Sequence, residues 1–133
     1  MKLLRRTALL LVISCCFAHF AMGQTTTIRI KIQASSLDRS LLFQKLNDHG
    51  ADHHMHFVMV DKGFDYRVAY GTAGGAVMTP YGPTGGSASV TKVFDPTGAE
   101  IFEFSRNGRA TNDQAANATA KEIIKRIRKL RGL

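Results

Sequence analysis

The densest group of side chains able to do chemistry is His49-Gly-Ala-Asp-His-His-Met-His56, which carries four of the five histidines in the chain. Imidazoles and carboxylates are metal ligands, and alternate residues of an extended strand share a face. Asp52, His54 and His56 would then line one side, with His53, Met55 and Phe57 on the other. Two imidazoles and a carboxylate suit zinc or copper, and Met55 or Met59 nearby would favour copper. The plainer reading is a set of exposed histidines where a turn leads into a strand. Ligating imidazoles normally need oriented partners, and no second set of ligands stands elsewhere in the sequence.

Other chemistries have less to work with. The Gly- and Pro-rich run 71–87 lacks the Gly-x-x-x-x-Gly-Lys-Ser/Thr order and does not open directly into a helix, so its amides have no phosphate to focus on. Ser87 and Ser89 stand in no Gly-x-Ser-x-Gly elbow, and the carboxylates are too scattered to name an acid–base pair. The expectation is a protein that is not an enzyme and has no cofactor, with copper or zinc as the alternative. The remaining candidate is basic: Lys121, Lys125, Arg126, Arg128, Lys129 and Arg131, against the single acid Glu122. Such a run can meet lipid headgroups, acidic polysaccharide or nucleic acid, or can simply be the solvated outer face of a packed helix. No aromatic platform accompanies the charges, which argues against nucleic acid. An anionic membrane or wall surface, or an envelope protein, is the more coherent partner.

The start of the chain supplies the compartment. Lys2, Arg5 and Arg6 precede an apolar run from Ala8 to Phe20 that is short for a bilayer span, and Ala21-Met22-Gly23 offers small residues for cleavage before Gln24. Residues 1–23 therefore read as a signal peptide, and 24–133 as one exported domain, periplasmic or secreted. A second processing route competes, because Val12-Ile13-Ser14-Cys15 resembles a lipobox that would make Cys15 a lipidated anchor. Both cysteines, Cys15 and Cys16, lie in this segment, so cleavage after Gly23 leaves a chain without thiols. The formal net charge of +8 is unevenly placed: beyond the leader, residues 24–120 balance, and the surplus sits in residues 121–131.

The elements that must position these residues follow from periodicity. Ile28, Ile30 and Ile32 alternate with Arg29, Lys31 and Gln33, as in a half-buried strand. Ser35 or Ser36 caps a helix reaching about Asp48, with Leu37, Leu41, Leu42 and Leu46 as its buried stripe. Strands are expected over 53–60 and 65–70, and 71–87 reads as a long irregular loop, which inside a small domain is a mobile excursion or a binding loop. Asp95-Pro96-Thr97-Gly98 is a type I turn closed by a glycine bulge. Pairing Asp95 with Ala99 sets Val93 against Ile101, Lys92 against Phe102 and Val90 against Phe104. Val90, Phe94, Phe102 and Phe104 then share a face, with Lys92 and Glu100 within reach of each other. Thr111 and Gln114 form a capping pair before a last helix whose inner stripe is Ala116, Ala120, Ile123, Ile124, Ile127 and Leu130. The order is β-α-β-β-(loop)-β-β-α, an α+β domain with a mixed or antiparallel sheet and two helices packed on one face.

Phe64-Asp-Tyr-Arg-Val-Ala-Tyr-Gly71, the Val93-Phe-Asp-Pro-Thr-Gly-Ala-Glu-Ile-Phe-Glu-Phe104 hairpin and the closing helix resemble small bacterial envelope lipoprotein domains. The curli-transport lipoprotein and the lipoprotein activators of penicillin-binding proteins share this arrangement of an early helix, a D-Y-x-V strand, a D-x-x-G hairpin and a final helix. The resemblance spans roughly residues 36–130. It implies a non-enzymatic envelope module that binds or docks, and it assigns no individual functional residue.

Overall fold

The computed structural model describes residues 23–80, 82–109 and 111–133. Except for Gly23, the expected leader lies outside the described residues, and so do Cys15 and Cys16. The elements run β1 (Thr26–Gln33), α1 (Ser36–Ala51), β2 (Met55–Met59), β3 (Tyr66–Thr79), β4 (Gly82–Phe94), β5 (Glu100–Arg109) and α2 (Asn112–Arg131). They build the expected α+β domain around one mixed sheet of five strands in the order β2-β1-β3-β4-β5.

β1 is the pivot of that sheet. Its first half pairs in parallel with β2, from Thr26↔Met55 to Ile30↔Met59, and its second half in parallel with β3, from Ile30↔Tyr66 to Gln33↔Ala69. Residues 60–65 therefore carry the chain from one side of β1 to the other. The crossing is tied down at both ends, where Val60 N–H donates to Ile30 O at 2.9 Å and Asp65 N–H to Arg29 O at 2.8 Å. Asp65 adds its carboxylate, which accepts from the Arg29 backbone N–H at 2.8 Å and from its guanidinium at 3.0 Å. Burial pushes the Asp65 carboxyl up, but those bonds, with the charges of Arg29 and Arg131, hold it below the usual carboxylate range.

The isoleucine alternation does what its period requires. Ile28, Ile30 and Ile32 are buried with Phe57, Val68, Tyr70 and Val93 beneath Leu42 and Leu46 of α1 and Ile123, Ile124 and Ile127 of α2. Both helices thus cover one face of the sheet, while Arg29, Gln33 and Val90 stand on the open one. Ser35 caps α1, its hydroxyl accepting from Asp38 N–H at 3.2 Å. The stripe of α1 is rotated from expectation: Leu37 is 68% exposed, and Asp38 is buried instead, accepting from the Thr72 hydroxyl at 2.9 Å. Leu130 likewise leaves the core of α2, and Ala115 and Thr119 enter it.

Two expectations about strands are corrected. Residues 71–87 are not an irregular loop. β3 and β4 continue through them as one antiparallel hairpin, in register from Arg67↔Phe94 to Thr79↔Gly82. Glycine there lowered the strand signal, but a glycine backbone still pairs in a ladder. The second hairpin begins as expected: Asp95 N–H donates to Ala99 O at 2.9 Å, Thr97 N–H to Asp95 Oδ1 at 2.8 Å, and Gly98 takes a left-handed φ of 90°. Beyond Phe94↔Glu100 a bulge shifts the register by one, so Val93 faces Phe102, Lys92 faces Glu103 and Val90 faces Ser105. The shift brings Phe102 and Phe104 to the inward face of Thr91 and Val93, and leaves Val90 49% exposed on the other. Lys92 still meets Glu100, at 3.6 Å, and adds Glu103 at 3.4 Å.

Candidate functional site

The cationic side chains are set out by the caps and stripe of α2. Thr111 accepts from Gln114 N–H at 3.2 Å at its start, and Gly132, at φ 67°, closes it with its N–H directed to the carbonyls of Arg128 and Lys129. With Ala116, Ala120, Ile123, Ile124 and Ile127 in the core, the six basic residues fall on the remaining circumference.

They are not equivalent. Arg126 is held from two directions: its Nε–H donates to Glu122 Oε1 at 2.8 Å, and its guanidinium lies 5.3 Å from the ring centres of both Phe102 and Phe104. Arg131 donates to the Tyr66 hydroxyl at 3.1 Å and approaches Asp65 at 3.8 Å, closing the end of α2 onto the sheet. Lys121, Lys125, Arg128 and Lys129 have no ion-pair partner among the described residues. Four of the six are therefore available to an external anion.

Two hollows flank this free set, and Lys125 borders both. On the β5 side a groove of about 830 Å³ has Ile101, Phe102 and Leu130 as its apolar lining, Lys125, Arg126 and Lys129 as its cations, and Glu122, paired with Arg126 and Arg106, as its acid. Leu130 is 54% exposed there and Leu133 53%. On the α1 side a cleft of about 520 Å³ lies between His49, Asp52 and His53 and the α2 residues Lys121, Ile124, Lys125 and Arg128. The two helices are pinned beside it by Lys45 and Asp113 at 3.0 Å, and by His49 Nε2–H donating to Asn117 Oδ1.

The metal trio expected from alternation is not assembled. Asp52 ends α1 in a helical conformation, His54 takes a left-handed φ of 54°, and β2 begins only at Met55. Asp52 consequently faces the α2 cleft, whereas His54 and His56 border a different hollow of about 350 Å³ with Thr25, Asn47 and Met55. Among the described residues no three His, Cys, Asp or Glu side chains gather as a metal site.

Sequence reasoning missed the meeting of His49 and His53 with Lys121, Lys125 and Arg128. Their separation in the chain is large, and only the packing of α1 beside α2 joins them. The one available signal was weak, a histidine in the last turn of α1 at the spacing of its buried stripe.

The sequence matches no protein-family model and no curated protein. Several solved structures are similar to it at low identity. A minor lipoprotein from Acinetobacter baumannii is 11% identical over 77% of this chain and 94% of that one, with a TM-score of 0.48. The PelC dodecamer from Paraburkholderia phytofirmans gives 10% identity over 77% and 87%, and a TM-score of 0.44. An uncharacterised lipoprotein B from Nitrosomonas europaea gives 14% over 78% and 77%, with a TM-score of 0.39. At these identities nothing of how those proteins behave is transferred to this chain. No helix among the described residues is long and apolar enough to cross a membrane.

Proposed function

We propose that this chain is an exported, non-enzymatic envelope module that docks on an anionic membrane surface through α2. The observation that carries the reading is the groove beside β5. There the exposed Leu130 and the side chains of Ile101 and Phe102 adjoin the unpaired Lys125 and Lys129. Cations next to exposed apolar groups are what an interface of headgroups and acyl chains takes up. The leader-like start, with its basic residues, apolar run and small residues before Gln24, supports export, and the alternative of lipidation at Cys15 would also hold the domain at a membrane.

The magnitude is adequate for reversible docking. A basic side chain near an anionic leaflet contributes about 1 kcal/mol, so four unpaired ones give about 4 kcal/mol, roughly a thousandfold in partition. The test is co-sedimentation of the processed protein, recovered after export, with vesicles of phosphatidylcholine alone or containing about 30 mol% phosphatidylglycerol. Binding is expected only to the anionic vesicles, falling with added salt, and the pair Lys125→Glu and Lys129→Glu should abolish it. Lys31→Glu, on the open sheet face, should leave it unchanged. Equal binding to neutral vesicles, or none to either, overturns the reading.

A further inference from the structure

The cleft between the end of α1 and the middle of α2 has a composition different from the β5 groove. It is lined by three cations without ion-pair partners among the described residues, Lys121, Lys125 and Arg128, by the imidazoles of His49 and His53, and by the single carboxylate of Asp52. Ile124 is the one apolar residue in its lining, and its side chain is itself buried. We infer that this cleft is a binding site for a phosphoryl group, either free phosphate or the headgroup phosphate of a lipid. The lipid form rests on the membrane-docking reading above; the free-phosphate form does not.

Three features make the ligand a compact polyvalent anion. Lys121, Lys125 and Arg128 are spaced by four and three residues, so they project from neighbouring turns of one helix toward the same side. Lysine gives point charges with several donors, and arginine a planar fork matched to two oxygens of one phosphate. A phosphoryl group with three or four oxygens can use all of them, whereas one carboxylate cannot. The fixed wall comes from α1, because His49 is held to Asn117 and its helix is tied to α2 by Lys45 and Asp113. Ordering on binding is then confined to the long side chains of α2.

The negative end of the α1 dipole faces the same region and opposes an anion. That opposition is blunted, because the Gly50 carbonyl accepts from His53 N–H at 2.9 Å and the Ala51 carbonyl from His54 N–H at 3.2 Å. A dipole end corresponds to about half a charge, against three whole cations. Asp52 is the remaining opposing group, and it gives the site a signed test: removing its charge should strengthen phosphate binding, whereas it would weaken a metal site built on the same residue.

The experiment is a nitrogen-edited NMR titration of the processed protein with inorganic phosphate, and separately with a short-chain phosphatidylglycerol below its micelle concentration. Resonances of His49, His53, Lys121, Lys125 and Arg128 should shift together and saturate, while those of Lys31 and Lys92 stay fixed. Asp52→Asn should lower the dissociation constant and Lys121→Gln with Arg128→Gln should raise it, each by about tenfold. The variants' own spectra report whether they are folded. No saturable shift with either probe, or equal shifts at every lysine, overturns the site. Vesicle binding without phosphate binding removes this site and leaves the docking surface standing. Saturable phosphate binding without vesicle binding establishes a free-phosphate site and removes the docking surface.

Discussion

The ring of Phe57 packs against the Cα of Gly50, and there is no room between them for a methyl group. A Cβ at Gly50 would lie 3.0 Å from Phe57 Cε2 and 2.8 Å from the Met55 carbonyl oxygen, so α1 and β2 meet through a bare backbone. Alanine is worth about 1 kcal/mol more than glycine inside a helix, so propensity alone predicts that Gly50→Ala stabilises the protein. Overpacking a buried join costs about 1–3 kcal/mol, and the closest atom here is backbone rather than the end of a flexible side chain. The clash should win. Gly50→Ala is expected to lower the denaturation midpoint with an unchanged slope, and a raised midpoint would show that the join has slack.

Thr91 offers the opposite case. It is fully buried between Tyr70 and Phe104 in the ladder, and its hydroxyl has no hydrogen-bond partner among the described residues. Burying a hydroxyl unpaired costs about 1–3 kcal/mol, and valine fills nearly the same space without that cost. Thr91→Val should therefore raise the thermal midpoint by roughly 4 °C for a gain of about 1 kcal/mol. Thr119→Val is the control, because the Thr119 and Ser89 hydroxyls lie 3.2 Å apart in the core and that change strands Ser89. The two variants should move in opposite directions; a lower midpoint for Thr91→Val would mean that its hydroxyl is satisfied in solution.

These two threonines mark where the sequence was readable and where it was not. The isoleucine alternation of β1, the Ser35 and Thr111 caps, the Asp95–Gly98 turn and the Ile123–Ile127 stripe all express local rules, and all are found in the fold. What local rules did not carry was the bulge at Ile101. It moved Phe102 and Phe104 to the inner face shared with Thr91 and Val93 and left Val90 on the outer one, because one inserted residue reverses every β5 side chain beyond it. The glycines of 71–87 hid a hairpin for a related reason: strand propensity records side-chain packing, and the ladder there is a matter of backbone pairing. At the candidate site the basic run was plain, but its division was not. Arg126 and Arg131 are engaged by Phe102, Phe104, Tyr66 and Asp65, all from distant strands or from the crossing before β3. The histidine cluster failed as a metal face because a left-handed residue at His54 breaks the alternation on which that reading rested.

Tyr70 should titrate late. Burial, helped by the negative charge of Asp38, pushes its phenol up to about 12 from the ordinary 10.0. The folded state therefore resists ionisation that the unfolded chain accepts. Its contribution is fully present below pH 10 and is lost as pH rises through about 12, for a total of about 2–3 kcal/mol. Ultraviolet titration of tyrosinate should show one of the three tyrosines ionising last, and Tyr70→Phe should delete that step. A protein whose stability is flat from pH 9 to 12 would contradict the buried phenol.

Glu122 predicts an acid-side dependence of the opposite sign. Its carboxylate is shared between two guanidiniums, with Arg126 Nε and Arg106 Nη2 each donating at 2.8 Å, and only 14% of the side chain is exposed. The bond from Arg126 lowers the carboxyl below its usual value and outweighs the upward push of burial, with the charges of Arg126, Arg106 and Lys125 adding to the lowering. A group depressed in the folded state stabilises fully above its unfolded value of about 4.5 and loses that contribution as pH falls through the folded value. Both guanidiniums are more than a third open to water, which screens the pair, so the contribution belongs near the low end for charge-assisted bonds, about 1 kcal/mol. Glu122→Gln keeps the shape and removes the charge. Its melting temperature should fall below that of the parent at neutral pH, and the gap should close progressively below pH 4.5. A gap that stays constant into acid would show that the carboxylate holds α2 to β5 by shape rather than charge. In that case Arg126 owes its position over Phe102 and Phe104 to the rings alone.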